Sequence, residues 1–93
     1  MKISWRPRAA DDFDALITTS NSGHVAHASR DKSLVETRIQ QIIRFDTLGR
    51  KTRRVGVREL HIEGTPYVVV SQRIDEEILI LRMFSNGSAV QAR

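Results

Sequence analysis

The stretch Gly56–Phe84, GVRELHIEGTPYVVVSQRIDEEILILRMF, decides the fold. Within it, Arg58-Glu59-Leu60-His61-Ile62 alternates polar and apolar side chains, the period-two pattern of a half-buried strand. Gly64-Thr65-Pro66 breaks that strand, and Pro66 can open the next one because a first position need not donate to the ladder. Tyr67-Val68-Val69-Val70 is aromatic and β-branched, which suits a pleated surface. Asp75-Glu76 supplies a polar turn before Ile78-Leu79-Ile80-Leu81. That unbroken apolar run predicts a central strand covered on both faces. The three strands read as an antiparallel meander.

Outward from the meander, Lys2 to Trp5 (KISW) places Ile3 and Trp5 on one side and is short enough for a sheet edge. Pro7 precedes or opens a helix. Ala9, Phe13, Leu16 and Ile17 then fall at helical spacing up to Thr18, with Asp11 and Asp12 in the first turn, where carboxylates complement the helix dipole. The run Thr18 to Gly23 is loop material. A second apolar stripe, Leu34, Val35, Ile39, Ile42 and Ile43, defines the second helix. Ser33-x-x-Glu36 fits a capping box and would start it at Ser33; a longer helix from about His24 is the preferred reading. Gly49 is its expected C-terminal stop, and Thr52 to Val55 leads into the sheet.

The order strand, helix, helix, strand, strand, strand implies an α+β, two-layer fold. An N-terminal strand and a helical hairpin pack on an antiparallel sheet of about four strands. The 93 residues make one domain, 1–93, with 85–93 a small polar tail expected to be flexible. With 40% hydrophobic and 28% charged residues the chain is of the globular class, and with 5% aromatic its core must be aliphatic. The absence of cysteine excludes a disulfide framework and thiolate zinc sites. Asp11 and Asp12 interrupt any signal-like run, and no stretch reaches the ~18 apolar residues of a membrane span. A cytoplasmic protein with no membrane partner is expected. The net charge of +4 is concentrated in Arg44, Arg50, Lys51, Arg53, Arg54 and Arg58, against Asp46 alone. Such a field attracts nucleic acid or an acidic protein segment, although a solvated basic loop has the same composition.

Three blocks carry a family likeness: Phe45 to Arg50, Gly56 to Leu60, and Pro66 to Val70 followed by Ile78 to Met83. Together with the order of elements they resemble the RelE/ParE toxin superfamily of type II toxin–antitoxin pairs, of the plasmid-stabilisation type. The resemblance spans roughly Ile3 to Phe84 and implies two branches. RelE-like members are ribosome-dependent mRNA endonucleases that use basic residues and an acid/base group near the C-terminal strand. ParE-like members inhibit DNA gyrase without a nuclease constellation. Either branch implies growth inhibition and a cognate antitoxin that wraps the toxin. A third reading is a remnant of the fold that binds its antitoxin and has lost toxicity.

RNA cleavage through the 2′-hydroxyl needs a base, an acid and cations for the phosphate. Arg58 and Arg82 match the family's basic positions. Arg58 shares strand parity with Leu60 and Ile62, and Arg82 with Ile78 and Ile80, so both are expected on one surface. The alternative is structural ion pairs, with Glu59, Glu63, Glu76 or Glu77 as partners. Arg50, Lys51, Arg53 and Arg54 complete the expected target- or nucleic-acid-binding set. After the last strand Phe84-Ser85-Asn86-Gly87 holds no titrating side chain, and Ser71 stands where relatives often carry a tyrosine. His61 is then the one catalytic candidate if the chain is a nuclease, with Tyr67 behind it. His24 and His27 lie at i, i+3 but lack a third ligand, so no metal or other cofactor is expected. The missing terminal acid/base favours the gyrase branch.

Overall fold

In chain order the elements are β1 (Lys2–Trp5), α1 (Pro7–Ser20), α2 (Val25–Arg44), β2 (Arg50–Lys51), β3 (Val57–His61), β4 (Tyr67–Ile74) and β5 (Glu77–Ser85). This computed structural model describes residues 2–20, 25–45 and 49–85, with side chains at 2–18, 32–45 and 49–85. His24, Asn86 and the tail beyond it lie outside the described residues, as does the side chain of His27.

The strands form one sheet in the order β1-β5-β4-β3-β2. β3, β4 and β5 are the expected antiparallel meander. β1 lies at the edge but runs parallel to β5, Ile3 opposite Ile78 and Trp5 opposite Ile80, so the sheet is mixed. Instead of about four strands there are five among the described residues. The fifth is two residues long, Arg50 and Lys51 paired with Glu59 and Arg58, one step before the Thr52–Val55 segment expected to enter the sheet. A strand that short has no periodicity to read; its register comes from its partner.

Pro7 opens α1, one of the two positions expected for it, with no backbone N–H to lose in a first turn. Asp11 and Asp12 therefore stand beyond the first turn, and Asp12 turns to the sheet. α2 is the longer of the two expected helices. It ends at Arg44, so Gly49 is not its cap. Gly49 has φ +94° and lies where a Cβ would come 2.8 Å from the Glu59 carbonyl oxygen. Only glycine allows that close approach.

The core is aliphatic, as the composition requires. Ala9, Val35, Ile39 and Ile42 of the helices meet Leu60, Ile62, Tyr67, Val69, Ile78, Ile80 and Met83. Trp5 stacks on Phe13 at 5.2 Å between ring centroids, fixing β1 to α1. Both helices lie on the same face of the sheet as this cluster. Ile78 and Ile80 are buried there, whereas Leu79 and Leu81 are half-buried on the other face, so β5 is central but covered by helix on one face only.

Candidate functional site

The register of β4 and β5 decides where the arginines go. Val70 lies opposite Arg82 and Ser71 opposite Ile80, which leaves Leu81 as the extra residue of a β-bulge. Beyond the bulge the alternation inverts. Arg82 joins a cross-strand row with Val70, Glu59 and Arg50, while Arg58 stands in the neighbouring row with Ser71 and Ile80. Adjacent rows face opposite sides of a sheet. Arg58 and Arg82 therefore do not converge, contrary to the parity argument, which assumed an unbroken pleat.

Each arginine has its own local partner. The Arg82 guanidinium donates from Nε to Asp12 Oδ2 at 2.7 Å and from Nη2 to Oδ1 at 3.3 Å. Asp12 Oδ2 also accepts the Met83 amide at 3.0 Å, at the edge of β5 where β1 has ended. The Arg82 hydrogen bond holds the Asp12 carboxyl below its ordinary range; desolvation opposes this, and the Met83 amide adds to it. Arg50 pairs with Glu59 at 2.9 Å, and Arg58 Nη1 donates to the Gly49 carbonyl at 3.0 Å. Of the carboxylates expected as partners, Glu59 takes Arg50 and not Arg58 or Arg82. Asp12 was missed, yet its signal was present: it falls at i+3 from Ala9 and i−4 from Leu16, on the apolar stripe of α1.

His61 is exposed near the end of β3, and its Nε2 donates to the Thr65 carbonyl at 2.9 Å. That bond ties the ring to the β3–β4 turn, which the Thr65 hydroxyl closes by donating to the Ile62 carbonyl at 2.8 Å. His61 shares a row with Val68 and Phe84, away from Arg58. Tyr67 is fully buried in the core. Among the described residues no group of three His, Cys, Asp or Glu could hold a metal.

The remaining basic residues sit on the β2–β3 hairpin. Lys51, Arg53 and Arg54 are exposed. The tip is tightly built: the Thr52 amide donates to the Val57 carbonyl (3.2 Å), the Val57 amide to the Arg54 carbonyl (3.1 Å), and the Arg54 amide to the Thr52 hydroxyl (3.1 Å). The hairpin thus presents its cations on an ordered turn. Such a surface can bind an anionic or carboxylate-rich partner.

The sequence matches the ParE toxin of type II toxin–antitoxin systems, parDE, over residues 3–88. No curated protein matches it. Among solved structures it is similar to a chain of the chromosomal ParDE TA system from P. aeruginosa. The TM-score is 0.77 at 25% identity, over 91% of this chain and 95% of that one. A copper-bound mutant toxin from Helicobacter pylori shares the fold, with TM-score 0.67 and 20% identity over 95% and 97% of the two chains. YafQ from E. coli does so at TM-score 0.56 and 12% identity, over 94% of each chain. Among the described residues no helix is long and apolar enough to cross a membrane. With a helical hairpin on a mixed sheet among its described residues and a family match over almost its whole length, the chain belongs to the ParE toxin family of type II toxin–antitoxin systems.

Proposed function

We propose that the chain is an active toxin whose target is DNA gyrase, that it acts as one domain over residues 1–93, and that a cognate antitoxin neutralises it in the cytoplasm. The observation that carries the gyrase reading is the commitment of the candidate nuclease residues to the fold. Arg82 is held by Asp12, Arg50 by Glu59, and His61 by the Thr65 carbonyl, each side chain engaged by its own partner within the fold, and Arg58 stands on the opposite face of the sheet from all three. An RNase site needs its base and its phosphate-binding cations around one scissile bond. Membership of the ParE toxin family supports the same reading. The antitoxin is supported by the likeness to the P. aeruginosa ParDE system and by the +4 charge, which suits an acidic neutralising segment.

Pulse labelling of DNA and protein synthesis within minutes of inducing the chain without its antitoxin tests this. DNA synthesis should fall first. A collapse of protein synthesis before DNA synthesis would replace gyrase by the ribosome. No effect on either, with folded protein present, would leave an antitoxin-binding remnant.

A further inference from the structure

Val55 is 94% exposed at the tip of the β2–β3 hairpin, between Arg54 and Gly56. It is not displayed by a slack loop. The Thr52 bonds close the turn behind it, and Gly56 follows with φ +77°. The Arg73 amide donates to the Gly56 carbonyl at 3.1 Å, which brings the end of β4 alongside the loop. That end carries Ile74, 45% exposed. Two of the three large hydrophobic side chains exposed among the described residues therefore belong to one corner. Arg53 and Arg54 are exposed at the same corner.

We propose that this corner is a docking knob for a protein, with Val55 and Ile74 entering an apolar notch and Arg53 and Arg54 meeting carboxylates at its rim. The proposal rests on the reading of gyrase as target and names the part of the toxin that grips it. An apolar centre with arginines around it is the anatomy of a protein–protein hot spot. A nucleic acid backbone is held by cations and gains nothing from an exposed valine. Asp75 and Glu76 follow Ile74 directly, and carboxylates in that position would repel phosphate while finding cationic partners on a protein. The ordered turn keeps the entropy cost of binding low.

The test is binding of the full chain to immobilised purified DNA gyrase, at low and at moderate salt. The variants are Val55→Asp, Val55→Ser and the pair Arg53→Ala with Arg54→Ala. Arg8→Ala, at an exposed position on α1, is the control. Circular dichroism melting verifies that each variant folds. Both Val55 variants should weaken binding about tenfold or more, as loss of an interface hot spot does. The arginine pair should weaken it with a reduced salt dependence, and Arg8→Ala should bind as the wild type. Wild-type affinity in folded Val55→Asp would overturn the knob and leave the gyrase reading standing. Binding to duplex DNA alone that needs the arginines but not Val55 would assign the corner to nucleic acid instead. A wild-type chain that does not bind gyrase would remove both the target and the knob.

Discussion

Asp12 of α1 holds β5 at two points, the Arg82 guanidinium at 2.7 Å and the Met83 amide at 3.0 Å, across 70 positions of sequence. It takes over the free edge of β5 where β1 ends, so one carboxylate joins the first helix to the last strand. Asp12→Ala leaves the Met83 amide without this acceptor and should cost about 1–2 kcal/mol of folding stability. Arg82→Ala should cost less, because the arginine is half-exposed and its ion pair is screened by solvent. Urea denaturation of both single variants and the double variant measures the coupling.

The same pair gives the fold an acid limit. In the native state the Asp12 pKa lies below its ordinary value of 3.8. Its contribution is complete above the ordinary carboxyl pKa and is lost as pH falls through the lowered native one. Asp12→Asn should therefore be less stable than the wild type at neutral pH, and the difference should shrink on acidification below about pH 4. Denaturation midpoints across that range, read for both proteins, decide it.

Gly49 is where the basic hairpin meets β3. Gly49→Ala forces an alanine into the left-handed region and its Cβ against the Glu59 carbonyl, 2.8 Å away. A loss of at least about 1–2 kcal/mol is expected. Gly64→Ala shares the positive φ, but the nearest atom is a Leu34 methyl at 3.5 Å, so it should be the milder change. Denaturant midpoints of the two variants test the order.

Ile80 is fully buried at the centre of the sheet, opposite both Trp5 and Ser71. Ile80→Ala should cost about 2–5 kcal/mol through lost burial and the cavity left behind. The exposed Val55→Ala, measured in the same denaturation series, should change stability little.

The meander was legible because Arg58 to Ile62 alternates and the β-branched run Tyr67 to Val70 fits a pleated sheet. The second helix was legible from its stripe of Leu34, Val35, Ile39 and Ile42. Arg82 was misplaced because one extra residue, Leu81, inverts the alternation, and a period-two reading has no means of seeing a bulge. Arg50 and Lys51 read in sequence as a basic segment and not as a strand, since two residues paired by register show no period. Ser85 reads in sequence as the start of the polar tail, yet it pairs with Tyr67 at the end of β5. The partner of Arg82 was foreshadowed only by Asp12 interrupting an apolar stripe, which signals a need for a partner but not which one.

The most direct measurement is plasmid supercoiling by purified DNA gyrase titrated with this chain freed of its antitoxin, beside ribosomes translating a defined mRNA. Wild type and His61→Ala should inhibit gyrase alike and leave the mRNA intact. Intact supercoiling with mRNA cut on the ribosome, and cleavage lost in His61→Ala, would contradict the account and make His61 the catalytic base.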